Sequence, residues 1–366
     1  MTTSFEGRAA RSVRPPPMNE PSGSARSLRE DLLRMVHAQP LRTLDDVAHA
    51  FEELRNRGRL DLPGVGSGQT LERFMSFVEL GATDLSLARL AEGHADAVAI
   101  LKEAGREPFP KARYGVWAAE PPNARVTATR DGSNWILNGR KRFGSGASHL
   151  QRALITAKSS DGGRLFDVDL TTEGVRIATG TWPAIGMAHS DSLDVELVDV
   201  HLEAAASIGV PEFYLMRAGF WHGAVGVAAC WLGGATGALR MLQQQFLDCP
   251  PDDHQAAHFG SIVASCAAMN AVLAQAAHEI DADPKDVTST GRLRAAVARQ
   301  VVEEGCQNVL VRCGRASGTG PMVFDEMHAR RVADLPVYLR QHHAERDLAE
   351  LGRLALQIDP KGTLWT

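Results

Sequence analysis

Three consecutive residues near the middle of the chain, Phe143, Gly144 and Ser145, have types that suit the binding of a flat ligand. Phe143 offers an aromatic face for stacking, and Ser145 offers a hydroxyl donor for a hydrogen bond. Gly144 lets the backbone come close to such a ligand. The same three residues also suit an ordinary β-turn beside a core phenylalanine. The pattern therefore indicates either a ligand site or a plain turn.

Arg217 and His342 are further candidates for chemistry. Arg217 directly precedes a run without Asp, Glu, Lys or Arg at 218–239. A charge there is costly to bury unless it is paired or faces a cavity, and an exposed arginine before a helix is the other interpretation. His342 and His343 lie in a polar segment, where an imidazole is able to act as an acid or base. A solvated helical face is the alternative for both histidines.

The sequence gives little support for a metal site or a phosphate-binding loop. His254 and His258 have the spacing of a helical metal pair, but no third ligand accompanies them. The five cysteines lack CxxC spacing, which argues against a zinc site and a disulfide framework and predicts reduced thiols. The glycine-rich segment 317–320 lacks the lysine of a P-loop. We predict no metal.

Composition and charge limit the classes of function. The chain has 366 residues, with 39 Lys and Arg against 44 Asp and Glu, hence a formal net charge of −5. No excess of positive charge would draw it to nucleic acid or to anionic lipid. Residues 1–25 lack the apolar region of a secretory signal, so we predict a flexible tail on a cytoplasmic protein. The Ala- and Gly-rich run 218–239 favours a buried helix over a membrane span.

Three regions that differ in hydrophobic period follow the tail. Residues 26–112 and 211–366 have the period of helices. Residues 113–210 have short runs of period two separated by DG, NG, DGG and GT turns, which predicts antiparallel hairpins. The two kinds of element do not alternate, which argues against a doubly wound parallel sheet. The longer predicted helices are 44–57, 70–80, 84–104, 212–248, 254–281, 288–313 and 326–356. Thr43 with Asp46 is typical of the start of the first of these helices, and Gly58 of its end.

The string DG-x-x-W-x-L-N-G-x-K-x-F-x-S-G-A at 131–147, followed by IGMAHSDS at 185–192, resembles the middle domain of acyl-CoA dehydrogenases. The helical flanks resemble that family's other two domains, and the resemblance covers roughly residues 27–356. It implies a non-covalent flavin adenine dinucleotide (FAD) and a homodimer or homotetramer. The fold it implies is α+β, with an N-terminal helical domain (26–112), a middle antiparallel β domain (113–210) and a C-terminal helical bundle (211–366).

The resemblance also implies roles for the residues singled out above. It places Phe143, Gly144 and Ser145 beside the flavin ring, with the Ser145 hydroxyl near the reactive flavin nitrogen. Arg217 matches the arginine that the family carries at the start of its central helix, beside the active site. All four residues are therefore expected to share one site.

The chain departs from the family where the chemistry is done. The family's dehydrogenation needs a carboxylate that takes a proton from an acyl thioester. The two positions that supply it read Met216 and Arg340 here. A shift of a few residues in the alignment would bring in Glu212 or Glu345. Otherwise His342 is the candidate catalytic acid or base.

The cofactor positions change as well. A flavin-contacting threonine of the family reads Ala119, and the segment that reaches the flavin across the dimer reads DCPPDD at 248–253. The paired glycines near the cofactor pyrophosphate become Gly314 and Arg315, and Arg315 is able to contact the pyrophosphate in compensation. The resemblance therefore implies flavin binding, with reduced affinity.

We expect a flavin-dependent oxidoreductase similar to acyl-CoA dehydrogenases, acting on CH–CH groups of an acyl thioester or a related small molecule. The sequence does not indicate its electron acceptor. One alternative is a flavin-dependent monooxygenase of the same fold, which needs no proton-abstracting carboxylate. The other is a scaffold or binding protein that has lost the catalytic base.

Overall fold

The computed structural model describes residues 23–357. The predicted tail at 1–25 therefore lies outside the described residues up to position 22. Its last three positions are helical instead, because the first helix begins at Gly23 and buries Ala25 in the core.

The N-terminal region is a group of four helices with defined starts. The second begins as the sequence predicts: the Thr43 side chain accepts from the backbone N–H of Asp46 at 3.2 Å, and the Asp46 carboxylate accepts from the N–H of Thr43 at 2.9 Å. Asp84 caps the fourth helix by accepting from the N–H of Leu87 at 2.8 Å. The helices are α1 (Gly23–Ala38), α2 (Leu44–Asn56), α3 (Thr70–Thr83) and α4 (Leu85–Glu103).

The middle region forms one eight-stranded sheet. Each run of period two in the sequence overlaps one strand; the runs are ARVTATR, NWILNGRK, ALITAKS, RLFDVDL, GVRIAT and DVELVDVHL. Two strands of four and two residues were not predicted, because they are too short to show a period. The strands are β1 (Tyr114–Trp117), β2 (Val126–Asp131), β3 (Asn134–Gly144), β4 (Arg152–Ser159), β5 (Gly162–Asp169), β6 (Val175–Ala178), β7 (Leu193–Leu202) and β8 (Ser207–Ile208).

The pairing of these strands is mixed. The order is β6-β7-β3-β2-β4-β5-β8, and β1 lies beside β4. The hairpins β2–β3 and β4–β5 are antiparallel, as predicted, but β4 pairs in parallel with both β1 and β2. The expectation of a purely antiparallel domain is therefore wrong. Turn signals report only the pairing of strands that are neighbours in sequence.

The C-terminal region is helical, with two breaks that the sequence analysis missed. The helix predicted at 212–248 is interrupted at Arg217, whose backbone is extended. The helix predicted at 326–356 is interrupted at 340–344, where Ala344 has a positive φ of 48°. The helices are α5 (Phe213–Met216), α6 (Gly219–Asp248), α7 (Asp253–Ala282), α8 (Gly291–Ser317), α9 (Gly320–Phe324), α10 (Glu326–Leu339) and α11 (Glu345–Ala355).

Helix α6 lies at the centre of the helical packing, against α3, α4, α7, α8 and α10. Glycines let it approach α3 closely. A Cβ at Gly81 would lie 2.4 Å from the carbonyl oxygen of Cys230, and one at Gly233 would lie 2.6 Å from that of Val78. Neither position tolerates a larger residue without a shift of the backbone.

Among the described residues, α6 and α7 are long and apolar enough to cross a membrane by length and composition. In α6, 78% of the most apolar window is buried inside the protein, as expected for a core helix. In α7 only 22% of that window is buried. Helix α7 exposes a stripe of small apolar residues, namely Ala256, Ala257, Val263, Ala264, Ala267, Ala268 and Ala271.

Candidate functional site

A cavity of about 1030 Å³ lies between the sheet and the two groups of helices. Its walls come from α4, the segment after β1, the end of β3, the start of α6, α8 and the break between α10 and α11. Ligand sites usually have volumes of about 300–1,000 Å³. The cavity is therefore large enough for a sizeable flat ligand together with a smaller molecule.

Phe143 reaches the cavity because β3 is irregular at its end. The register between β3 and β7 shifts between Lys141 and Gly144, and Phe143 has a φ of 61°. A bulge of this kind redirects a side chain. The Phe143 ring is 46% exposed and lies edge-on to Trp182, with 6.2 Å between the ring centroids. Both rings line the cavity.

The structural role of Gly144 differs from the predicted one. It is buried, and a Cβ there would lie 3.1 Å from the carbonyl oxygen of Leu193 and 3.2 Å from the ring of Trp117. The glycine thus lets β3 pack closely on β7 and on the Trp117 indole, rather than opening the backbone to a ligand. Trp117 in turn donates from Nε1 to the carbonyl oxygen of Ser145 at 3.1 Å, which fixes the turn.

The Ser145 hydroxyl belongs to a chain of hydrogen bonds. Ser190 donates to the carbonyl oxygen of Met187 at 2.7 Å, Ser192 Oγ lies 2.8 Å from Ser190 Oγ, and Ser145 Oγ lies 2.9 Å from Ser192 Oγ. Because each hydroxyl has one proton, Ser192 donates to Ser190 and Ser145 donates to Ser192. Arg89 Nε donates to Ser145 Oγ at 3.2 Å. Ser145 therefore offers the cavity a lone pair, not the donor that the sequence analysis expected.

Arg89 also forms an ion pair with Glu92, which is buried in the cavity wall. Burial raises the pKa of Glu92, Arg89 opposes this rise, and the negative charge of Asp96 adds to it. Sequence reasoning missed all three residues. Their spacing of three and four positions along one face of α4 was the available signal.

Arg217 lies at the floor of the cavity, and its side chain is only 3% exposed. Its Nη1 is 3.0 Å from Glu103 Oε2, and its Nη2 is 3.8 Å from Asp96 Oδ2. Glu103 also accepts from the backbone N–H of Gly219 at 3.2 Å, at the start of α6. The extended backbone at Arg217 turns the side chain inward. The interpretation as an exposed arginine is therefore wrong.

His342 lines the cavity from the break between α10 and α11. It is 2% exposed, so the interpretation as a solvated helical face is wrong for this residue. The His342 Nδ1 accepts from the N–H of Ala344 at 3.2 Å, which places the proton of the neutral ring on Nε2, 3.9 Å from Asp347 Oδ2. Burial lowers the pKa of His342, although Asp347 opposes this effect.

The two positions of the family's base do not supply a carboxylate. Met216 is 80% exposed and does not line the cavity. Arg340 does line it and pairs with the buried carboxylate of Glu303, so an acid at position 340 would face a like charge. Glu212 and Glu345 do not line the cavity either. Within residues 23–357, the cavity's carboxylates come from other positions, namely Glu92, Asp96, Glu120, Asp347 and Glu350.

The predicted cofactor residues divide into two groups. Ala119, Phe143 and Ser145 line the cavity, whereas Gly314 and Arg315, on the last turns of α8, do not. In the part of the chain that the structure describes, no cluster of three or more His, Cys, Asp or Glu side chains is arranged to hold a metal ion. The cavity thus offers aromatic, hydroxyl and charged groups to an organic ligand.

The sequence matches no protein-family model and no curated protein, but solved structures share its fold. KijD3, in complex with FMN and dTDP-3-amino-2,3,6-trideoxy-4-keto-3-methyl-D-glucose, has a TM-score of 0.77 and 18% identity over 94% of this chain and 97% of its own. The dibenzothiophene monooxygenase TdsC from Paenibacillus sp. A11-2 has a TM-score of 0.73 and 18% identity, over 94% of this chain and 98% of its own. The nitrososynthase from Micromonospora carbonacea var. africana has a TM-score of 0.75 and 17% identity, over 93% of this chain and 99% of its own.

At these identities the likeness concerns the fold. It supports the acyl-CoA dehydrogenase-like fold that the sequence resemblance implied, in a chain of mixed helix and sheet. The three domain boundaries and the roles of the site residues stay predictions.

Proposed function

We propose that the protein is a flavin-dependent monooxygenase that acts on a small organic molecule in this cavity. The observation that carries the proposal is the ion pair between Arg340 and Glu303. It puts a cation where acyl-CoA dehydrogenases carry their proton-abstracting carboxylate, and oxygen insertion needs no such base. The fold likeness to a protein named as a monooxygenase supports the same choice.

The residues of the cavity fit a flavin. Phe143 and Trp182 line the cavity with aromatic rings, and the volume exceeds what one flat ring system needs. When bound in its reduced form, a flavin supplies the two electrons that activate molecular oxygen. The lone pair of Ser145 matches an N–H of the reduced ring better than an unprotonated nitrogen of the oxidised ring. Reduced flavin is therefore the form that this wall binds more tightly.

We propose FMN rather than FAD as the bound flavin. The sequence resemblance implies FAD, but the residues expected near its pyrophosphate, Gly314 and Arg315, do not line the cavity. KijD3 and TdsC have been solved in complex with FMN. The protein is incubated with FMN and FAD together, and mass spectrometry of the flavin that stays bound shows which one the protein prefers.

His342 is the residue proposed to hold and move a proton. Its buried neutral ring has Nε2–H as its one donor, and the Asp347 carboxylate lies 3.9 Å from Nε2. Because burial lowers the pKa of His342, the neutral form dominates at pH 7. Arg217 is proposed as a positioning residue, because its ion pair with Glu103 fixes the floor of the cavity beside Asp96.

Flavin binding by the purified full-length chain tests the proposal. Reduced FMN, added anaerobically, is expected to bind more tightly than oxidised FMN. Ser145→Ala should weaken binding roughly three- to tenfold, because one neutral hydrogen bond contributes about 0.5–1.5 kcal/mol. Phe143→Ala should weaken it further. Phe324→Ala, at an exposed ring outside the cavity, is the control. A protein that binds no flavin would favour the scaffold alternative.

The second candidate is a dehydrogenase that takes its base from α4. The specific observation in its favour is Glu92, a buried cavity carboxyl whose pKa is raised by burial. Bleaching of bound flavin by an acyl-CoA under anaerobic conditions, abolished by Glu92→Gln, would establish this reaction. Oxygen consumption with reduced FMN and a substrate would establish the monooxygenase.

We also propose a location, the absence of some classes of partner and an oligomeric state for the enzyme. We propose that it acts in the cytoplasm and without nucleic-acid or membrane partners. The apolar stripe on α7 supports assembly into a homodimer or homotetramer. The reductant of the flavin is not assigned.

A further inference from the structure

The carboxylate of Asp96 lies in the cavity wall without a hydrogen-bond donor. Its side chain is 15% exposed, and its nearest cation is Arg217 Nη2 at 3.8 Å, on a guanidinium that Glu103 already engages at 3.0 Å. No residue in the described range donates a hydrogen bond to either oxygen of Asp96. Glu92, one turn away, is by contrast held by Arg89. Free and strong acceptor sites therefore face the cavity at Asp96.

Two glycines lie inside the helices beside this carboxylate. A Cβ at Gly93 of α4 would meet only Arg89 Nη1, at 3.7 Å. A Cβ at Gly223 of α6 would lie 2.9 Å from Asp96 Oδ1. Glycine destabilises the interior of a helix relative to alanine. Gly93 leaves open space in the cavity wall beside Asp96, and Gly223 makes room for the Asp96 carboxylate itself.

Aromatic rings form the wall next to this space. Tyr214, Phe220 and Trp221 all line the cavity. The rings of Tyr214 and Phe220 are 5.5 Å apart between centroids, and those of Phe220 and Trp221 are 5.0 Å apart, both edge-on. A flat apolar molecule packs favourably on such a surface.

The charges around Asp96 are balanced, which decides the kind of polar group that fits. A protonated amine would add an uncompensated positive charge to a largely buried set, and an anion would be repelled by the Asp96 carboxylate. An uncharged donor has neither cost. The balanced set consists of the cations Arg73, Arg89 and Arg217 and the acids Glu92, Asp96 and Glu103.

From these observations we infer that Asp96 determines specificity for a flat substrate with an uncharged N–H or O–H group. The carboxylate accepts that hydrogen while the aromatic wall holds the ring. The inference rests on the proposed function of the cavity and adds the substrate class. A site built to accept a substrate hydrogen discriminates strongly against an analogue that lacks it.

Binding of two isosteric probes to the flavin-free full-length chain tests the inference. Indole and benzothiophene have nearly the same shape, but sulfur replaces the N–H group. The wild-type protein should bind indole about tenfold more tightly in ligand-observed NMR titrations, the equivalent of about 1.4 kcal/mol. Asp96→Ala should reduce this preference to within about threefold. Gly223→Ala, which crowds Oδ1, should weaken indole binding.

Glu350→Gln is the matched control. Glu350 lines the same cavity, but Arg292 already engages it at 2.6 Å, so its replacement should leave the preference for indole unchanged. If Asp96→Ala does not fold, as judged by circular dichroism, the isosteric Asp96→Asn is used, and the same loss of preference is expected.

Three results would overturn the inference: equal binding of indole and benzothiophene by the wild type, a tenfold preference that persists without the Asp96 carboxylate, or tighter binding of the cation tryptamine than of indole. None of these measurements uses a flavin. Flavin binding without an indole preference would refute the role of Asp96 alone. An indole preference without flavin binding would refute the monooxygenase alone.

Discussion

Removal of the Arg89 side chain tests whether the cavity wall is held by a buried ion pair. Arg89 contacts Glu92 and Ser145 together, and it is the cation paired with Glu92. In Arg89→Met the length of the side chain is kept and its charge is lost. Glu92 is then a buried carboxylate that has lost its ion-pair partner.

The expected cost follows from burial. Breaking a buried ion pair by removal of one partner destabilises a protein by roughly 3–5 kcal/mol. Replacement of both partners by apolar residues of similar volume is often neutral or better, so Arg89→Met/Glu92→Met should recover most of the loss. Arg292→Met is the matched control, because its partner Glu350 lies at a more exposed part of the cavity and such pairs contribute about 0–1 kcal/mol.

The loss of stability in Arg89→Met should also depend on pH. Burial already raises the pKa of Glu92 above its ordinary value of 4.5, and removal of Arg89 raises it further. A carboxyl with a raised folded pKa binds more protons in the folded state, so its contribution to stability falls as the pH rises above 4.5. The destabilisation of Arg89→Met should therefore be larger at pH 8 than at pH 5.

Urea unfolding at both pH values measures the effect as a shift of the midpoint at constant slope. The reasoning is refuted if Arg89→Met costs no more than Arg292→Met at pH 8. It is equally refuted if the double variant is no more stable than the single one.

Three further predictions concern other parts of the fold. Burial lowers the pKa of His94 to about 4, so stability should fall by about 3 kcal/mol as the pH drops from 6.5 to 4. His94→Asn retains an acceptor for the N–H of Tyr114 and should flatten this dependence in urea titrations; an unchanged pH profile would contradict it. Gly226→Leu should lower stability by roughly 1–3 kcal/mol, because a Cβ there already lies 3.2 Å from the Phe77 ring; a thermal midpoint equal to that of the wild type would count against close packing. Light scattering should give two or four times 39.4 kDa, and Ala267→Glu on the exposed stripe of α7 should reduce it; a wild-type monomer would refute the assembly.

Local signals predicted much of the secondary structure. The capping box at Thr43 was visible in the sequence because its partners are three residues apart. The period-two runs predicted the longer strands for the same reason, since each alternation is contained in one segment. The uncharged run at 218–239 predicted the buried helix α6. Parallel pairing of β4 with β1 and β2 joins strands that are distant in sequence, and no local pattern reports it.

The sequence resemblance also indicated the acyl-CoA dehydrogenase-like fold and placed Phe143, Ser145, Ala119 and Arg217 in one region, where the cavity brings them together. The roles of particular atoms depended on their neighbours in space. The Ser145 hydroxyl donates its hydrogen bond to Ser192 and not to the cavity, and Gly144 packs against Trp117, although both residues are of the type the motif requires.

The sequence by itself determined most of the segments that become helices and strands, because propensity, caps and periodicity act over a few residues. Only the tertiary structure decided which charges share the cavity. Glu92 and Asp96 looked like ordinary polar positions of α4, and His342 like part of an exposed helix, until packing buried them. Burial, pairing and protonation depend on atoms from distant parts of the chain, so they are properties of the folded arrangement and not of any segment.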